Sequence, residues 1–220
     1  MVQLSWSHSM PDCFLRISTK KIYPAFIILA FTLFVSCSKQ ESGEQDFVRM
    51  ERWLEYYGLS LNDFSDTLNI KNNPFLTTDS DPSSPHFRLY RDLFVYSPDK
   101  QYAIDIDSYF LVLEKNNGDS LVCYGTNADQ EIALINLKEH ERQRILFCGT
   151  ACRAEEVQWT GNNNVLIMGF SQPRQTWVPV IWIVDLEKES LQEIKTNNVP
   201  VNKKPNSYNQ SVRLNHMVFR

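Results

Sequence analysis

Two carboxylates that stand two residues apart, Asp105 and Asp107, are side chains whose types and spacing could do chemistry. Side chains alternate between the two faces of a strand, so both carboxylates would point to one face. Such a pair could hold a cation or act as a general acid and base, which makes a hydrolase the alternative function. The sequence places no third oxygen ligand beside them, and a solvent-facing or strand-edge position is the favoured interpretation.

The loop at residues 172–177 is a second candidate, and it joins two segments with strong strand character. It presents Arg174 and Trp177, and both residue types are enriched where proteins recognise their partners. These two residues are the candidate binding residues for a protein or a sugar. Simple packing of Trp177 over a sheet end is the favoured interpretation.

The histidines give no metal site by their spacing. His86, His140 and His216 each lack a second ligand at a suitable distance along the chain. The sequence also contains no nucleophile elbow, phosphate loop or zinc-protease motif. We therefore predict no catalytic residue, no metal and no cofactor, and favour a protein that is not an enzyme.

Cys148 and Cys152 are the pair of cysteines nearest in sequence. Their spacing allows a disulfide if the backbone turns tightly enough to bring the two Cα atoms within about 7 Å. Two buried thiols are the alternative.

The N-terminal segment has the charge and apolar pattern of an export signal. Lys20 and Lys21 precede an uncharged apolar run over residues 22–35, which ends at Ser36 and Cys37. A basic region followed by a short apolar region and a small residue is typical of a cleaved secretory signal. The run is shorter than the about 20 apolar residues of a membrane-spanning helix. An uncleaved anchor or a buried hydrophobic helix is the alternative.

Residues 33–37, Leu-Phe-Val-Ser-Cys, resemble the lipobox of bacterial lipoproteins, although Phe34 stands where the family usually has Leu. The resemblance implies that residues 1–36 are a signal peptide, that Cys37 carries lipid such as palmitate, and that residues 37–43 form a polar tether. Lys39, at the second place after the cysteine, implies sorting to the outer membrane in this family. We therefore expect an outer-membrane lipoprotein that faces the periplasm or the cell surface.

An amphipathic helix is predicted after the tether. Met50, Trp53, Leu54 and Tyr57 recur at helical spacing before Gly58, which is suited to end a helix. We assign residues 44–71 to an N-terminal helical segment and the Pro- and Ser-rich residues 72–86 to a connector.

Residues 87–220 are predicted to form an antiparallel β domain, because short runs rich in Val, Ile, Tyr, Phe and Trp alternate with turn residues. The predicted strands are 88–96, 101–106, 109–114, 120–124, 131–137, 143–148, 156–160, 164–170, 178–186 and 190–195, with an edge strand within 211–220. The expected fold class is mainly β, as a blade-like meander or small sandwich with the N-terminal amphipathic helix on one side.

Weak internal repetition links residues 132–139 to residues 181–188 at an offset of 49, with 109–115 as a looser third copy. Together with 97–103 and 159–167, these segments resemble blade edges of WD-like propellers in periplasmic proteins of the Tol type. The offset matches the length of one blade, but residues 87–220 would make only about three blades, and closed propellers have at least about four.

The charge of the chain excludes one class of partner. The sequence has 22 basic and 26 acidic residues, and the first 36 hold three of the basic and one of the acidic, which leaves a net charge of −6. Since the basic residues are also scattered, nucleic acid is not an expected partner. We expect a non-catalytic binding or structural module of the cell envelope that binds a protein or glycan, or a subunit of an envelope assembly.

Overall fold

The computed structural model describes residues 47–70, 75–78, 81, 83–115, 121–173, 176–197 and 201–220. They belong to one compact unit that runs from Ser42 to Arg220. The predicted signal peptide, the predicted tether with Cys37, and Arg174 lie outside the described residues. No helix in the described ranges is long and apolar enough to cross a membrane.

Strands dominate the unit. In chain order, the elements are α1 (Val48–Tyr57), β1 (Phe64–Ile70), β2 (Leu76–Thr78), α2 (Pro85–Arg88), β3 (Val95–Tyr96), β4 (Tyr102–Asp105), β5 (Leu111–Lys115), β6 (Leu121–Thr126), β7 (Glu131–Asn136), β8 (Glu141–Phe147), β9 (Cys152–Trp159), β10 (Asn164–Ser171), β11 (Val178–Asp185), β12 (Ser190–Thr196) and β13 (Val218–Phe219). Leu61–Asp63 and Arg91–Leu93 form 3-10 turns, and Asn209–Arg213 forms a π-helical turn.

Two five-stranded sheets share one plan. The first has the order β1-β12-β11-β10-β9 and the second has the order β2-β8-β7-β4-β3. In each, four strands form an antiparallel meander in chain order, and a strand from the N-terminal part of the unit pairs with the last of them. A hairpin of β5 and β6 is inserted between β4 and β7, and β13 joins it in parallel. The prediction of a mainly antiparallel β fold with a short N-terminal helix is confirmed, and the sheets do not close into a barrel.

The internal repeat corresponds to this shared plan. Residues 132–139 and 181–188 cover β7 and β11, each the third strand of its meander, and the turns that follow. Residues 97–103 and 159–167 cover the turn between the first and second strands of each. The third copy, 109–115, lies in the inserted hairpin instead, so its assignment to a repeat was wrong. An apolar strand followed by a charged turn therefore occurs at positions that are not equivalent in the fold.

The main core lies between the two five-stranded sheets. It includes Ile104 and Ile132 from one sheet and Val157, Ile167 and Trp182 from the other, all essentially inaccessible to solvent. Burial of this apolar surface is the main favourable contribution to the stability of the unit.

Helix α1 covers the other face of the first sheet. The predicted stripe of Met50, Trp53, Leu54 and Tyr57 is buried against strands β10 and β11. Gly58 ends the helix in the left-handed conformation, with φ of 68°.

The division of the N-terminal part differs from the prediction. Strand β1 lies inside residues 44–71, which were predicted to be helical, and β2 lies inside the predicted connector 72–86. Most side chains of β1 are polar or exposed, so no apolar alternation marks the strand. Its pairing with β12 makes it a strand, and such pairing is a long-range property.

The predicted strand 88–96 is wrong over most of its length, because α2 and a 3-10 turn occupy residues 85–93. A group of apolar side chains is buried against the three-stranded sheet of β5, β6 and β13; it consists of Phe87, Tyr90, Leu93 and Phe94. Their three- and four-residue spacing is that of a helical face, although their residue types favour strands.

Candidate functional site

Three loops meet at one end of the sheets, and we call this region the loop end. They are residues 106–110, 127–130 and 148–151. The buried amide of Gln130 joins them: its Nε2 donates to the carbonyl oxygens of Ile106 at 2.8 Å and Ala154 at 3.0 Å. Its Oε1 accepts from the backbone N–H of Ala154 at 2.8 Å. A fully satisfied buried amide fixes the relative positions of the loops.

Further hydrogen bonds connect the loops near the surface. The Asn127 side chain donates to the carbonyl oxygen of Tyr109 at 2.6 Å. The guanidinium of Arg153 donates to the carbonyl oxygens of Gly149, at 2.9 Å, and of Ala128. These hydrogen bonds therefore hold the three loops of the loop end together.

An exposed aromatic pair lies on the loop end. The rings of Tyr109 and Phe147 are 41% and 43% exposed. They pack edge to face with centroids 5.8 Å apart, and Arg144 lies over the Phe147 ring at 5.0 Å. Beside them is an open cleft of about 510 Å³ lined by Ser108, Tyr109, Asn127, Ala128 and Asp129. Aromatic rings and arginine held at the surface are typical of sites that recognise a partner.

Cys148 and Cys152 are joined by a disulfide in the turn between β8 and β9, with Cα atoms 4.9 Å apart. Cys123 is a free, buried cysteine. For the purified protein we predict two cysteines protected from alkylation until reductant is added, as measured by intact mass. A ring of this size should contribute about 2 kcal/mol to the free energy of unfolding. Alkylation of both residues without reductant in the denatured protein would contradict the pairing.

Asp105 and Asp107 do not form a solvent-facing pair, and the interpretation of them as exposed or edge residues was wrong. Both are about 1% exposed. The carboxylate of Asp105 accepts from Arg142 Nη2 at 3.2 Å and from the backbone N–H of Ser108 at 2.9 Å. Asp107 instead pairs with both terminal nitrogens of Arg213, at 2.6 and 2.7 Å. Each carboxylate is thus paired with an arginine, as in a structural ion pair, and Arg142 is shared between Asp105 and Glu131.

The ion pair of Asp105 belongs to a chain of charges on the second sheet. Arg142 also contacts Glu131, and Glu131 accepts from Arg144 Nε at 2.5 Å. Arg144 in turn lies over Phe147. The buried charges are therefore connected to the exposed aromatic pair through one arginine.

A bulge in β9 creates a second buried acidic cluster that the sequence reasoning missed. The register of β9 with β10 shifts at Gly169, so that Glu155 is the extra residue. A Cβ at Gly169 would come within 1.9 Å of the Arg153 carbonyl oxygen, which only glycine avoids. In a regular strand, Glu155 and Glu156 would point to opposite faces, but the bulge lets both contact α1 or the C-terminal segment. The sequence signal that could have indicated this cluster is the pair of adjacent glutamates within an apolar strand.

Glu155 joins three segments of the chain. Its carboxylate accepts from Trp53 Nε1 at 2.8 Å, from the Tyr57 hydroxyl at 3.0 Å and from the backbone N–H of Asn206. Burial raises the pKa of Glu155 to about 7, although these hydrogen bonds oppose the rise. The neighbouring Glu156 accepts from the Tyr208 hydroxyl at 2.8 Å and pairs with Arg49 at 3.2 Å.

The predicted binding residues Arg174 and Trp177 are separate from the loop end. Arg174 lies outside the described residues. Trp177 is half-buried and packs with the apolar residues under α1. Its loop contributes Pro173 and Thr176 to an open cleft of about 520 Å³ beside β1 and β12. A role of Arg174 and Trp177 in binding stays a prediction.

The three histidines lie in three different environments. His86 packs on Phe87, His140 lines a small cleft beside Arg91 and Tyr96, and His216 is exposed near the C-terminus. Within the part of the chain that the structure describes, no three His, Cys, Asp or Glu side chains are placed to hold a metal ion.

Comparisons with known proteins give one structural match. No family model matches the chain, and the search of curated proteins found no significant match. Among solved structures, the chain is similar to a protein from Clostridium novyi NT described as an inferred conserved lipoprotein. The two chains are 15% identical, with a TM-score of 0.30, over 65% of this chain and 75% of that one. This TM-score is too low to indicate a common fold.

Proposed function

We propose that this protein is a lipoprotein of the bacterial cell envelope that binds a protein partner through its loop end and is not an enzyme. The observation that carries the binding role is the exposed Tyr109–Phe147 pair with Arg144 at its side. Tyr, Phe and Arg are enriched in protein interfaces. The aromatic rings bury a large area at a low cost in conformational entropy.

The patch extends beyond the two rings. Leu76 of β2 is exposed and lies opposite Arg144 of β8 in the strand pairing. An apolar side chain, two rings and a guanidinium thus lie together beside a polar cleft. A partially apolar centre with a polar rim is the usual anatomy of a protein interface. A glycan, the other partner class expected from the sequence, would use the same rings.

The contacts of the two aspartates favour binding over hydrolysis. A general acid or base must reach a substrate, and both Asp105 and Asp107 are buried in ion pairs. The role of a subunit in a larger envelope assembly is compatible with the same interface.

The binding role predicts a site-specific crosslink. With a photoreactive amino acid at position 109 in the native host, we expect a discrete protein adduct that Phe147→Ala reduces about tenfold or more, as expected for a central interface residue. Tyr96 is the matched control, because it is also 41% exposed but lies on β3. Equal adducts at both positions, or an adduct to glycan alone at position 109, would contradict a protein-binding loop end.

The proposed membrane anchor requires a lipid on Cys37. In the wild type, mass spectrometry of the membrane fraction should find the peptide that begins at Cys37 with two or three acyl chains. Cys37→Ala should leave an uncleaved precursor without the acyl mass, because the thiol is the site of attachment. Separation of inner from outer membranes tests the outer-membrane location, which Lys39 alone suggests. Unmodified Cys37 in the wild-type protein would contradict the proposed anchor.

A further inference from the structure

The start of helix α1 exposes an apolar pair next to two arginines, and we call these four residues the α1 surface. Phe47 and Val48, the first described residues, are 40% and 44% exposed. Arg49 and Arg52 are also exposed, and with Val48 they line an open cleft of about 460 Å³.

Helix geometry separates the charges of α1. Successive residues turn by about 100°, so Val48, Arg49 and Arg52 lie on one side of the exposed face. Glu51 and Glu55 lie on the other side, four residues apart. The π-helical turn borders the same cleft through Val212 and Arg213. Glu156 and Asp107 each neutralise one arginine there, Arg49 and Arg213, through ion pairs.

The chain that precedes α1 ends at this surface. Ten residues separate Cys37 from Phe47, and a chain of that length spans at most about 35 Å when fully extended. If Cys37 carries lipid, Phe47 cannot lie farther than that from the membrane surface. A folded body held this close meets the lipid headgroups repeatedly, which raises the effective concentration of any weak contact.

We propose that the α1 surface docks onto the headgroups of the membrane that holds the anchor. The inference rests on the proposed lipidation of Cys37. Phe47 and Val48 enter the headgroup region, and Arg52 faces lipid phosphates. Aromatic and apolar side chains flanked by arginine are suited to this interface, since the rings leave water while the guanidinium stays hydrated.

The loop end is separated from the α1 surface along β9. Arg49 donates its backbone N–H to Gln158 at one end of β9, and Cys152 begins β9 in the loop end. Six residues of strand separate these points by about 20 Å. The loop end therefore lies at the opposite end of β9 from the contact with α1, where a partner can reach it.

The test attaches the chain that begins at Cys37 to vesicles by reaction of that thiol with a maleimide lipid. Cys123 is buried and Cys148 is bonded to Cys152, which directs the reaction to Cys37. The vesicles contain phosphatidylcholine, phosphatidylglycerol and lipids brominated on the acyl chain. We expect the added tryptophan of Phe47→Trp to lose fluorescence to bromine, as for a ring that reaches the boundary between headgroups and acyl chains.

The matched control is Tyr109→Trp, whose parent ring is as exposed as that of Phe47. It should show less quenching, because the loop end lies about 20 Å along β9 from the contact with α1. Adding Arg52→Glu to Phe47→Trp should weaken its quenching, since an exposed arginine contributes about fivefold to the surface affinity. Arg49 is left unchanged because it is already paired with the buried Glu156.

Equal quenching of the two tryptophans, or quenching that survives Arg52→Glu, would overturn the docking. The chemical anchor replaces lipidation by the cell, so this result is independent of whether Cys37 is acylated in the host. Failure of the proposed anchor and failure of the docking are therefore distinguishable.

Discussion

Arg213→Met is expected to lower the free energy of unfolding by about 3–5 kcal/mol, because it leaves the buried carboxylate of Asp107 without its cation. In the wild type, both carboxylate oxygens of Asp107 accept from Arg213, whose side chain is 9% exposed. The pair also joins the C-terminal π-helical turn to the loop after β4. Within that turn, Arg213 Nε donates to the Asn209 side chain at 2.8 Å. Urea denaturation followed by tryptophan fluorescence measures the change.

Two further variants separate charge from packing. Replacing both partners, with Asp107→Leu and Arg213→Met, should recover most of the loss, because no unpaired charge stays buried. Arg213→Lys should lose part of the stability, since an ammonium cannot donate to both oxygens in the planar arrangement of the guanidinium. The control is Lys188→Met, which removes an exposed pair with Asp185 and should change little. A loss for Arg213→Met no larger than that of the control would contradict a structural ion pair.

The stability of the unit should fall by about 3 kcal/mol as the pH rises from near 4.5 to above 7, owing to Glu155. Burial raises the pKa of this carboxyl from 4.5 to about 7 in the folded chain. The folded state therefore holds the proton more tightly than the unfolded state does. Its contribution to stability is complete below pH 4.5 and is lost as the pH rises through 7.

Glu155→Gln should flatten this pH dependence, because the amide does not titrate. The measurement compares the free energy of unfolding of both proteins at pH 5 and pH 8 and at equal ionic strength. All other titratable groups are shared, so the difference between the two proteins isolates Glu155. The variant should also lose some stability at pH 5, since an amide cannot accept from both Trp53 and Asn206. Parallel pH profiles for the two proteins would refute the assignment.

The sequence was sufficient for the local features of the fold. The stripe from Met50 to Tyr57 and the glycine after it predicted α1, and apolar runs between turn residues predicted most strands from β4 to β12. These features depend on side chains within a few positions of one another. The spacing of Cys148 and Cys152 likewise allowed a disulfide, because the turn that pairs them is local. The lipobox pattern ending at Cys37 is also a local signal, and its consequences stay predictions.

Other features were decided only by contacts between distant parts of the chain. Asp107 and Arg213 are 106 positions apart in the sequence. The Tyr109–Phe147 pair joins the loop after β4 to the end of β8. The alternation of residues in β4 could not show that Asp105 and Asp107 are buried, because a carboxylate becomes stable inside a protein only when a distant arginine arrives beside it. The bulge at Glu155 likewise depends on Gly169 of the neighbouring strand. The sequence by itself thus determined the elements and the predicted address, whereas the tertiary structure decided which charges are buried and which aromatic rings stay exposed.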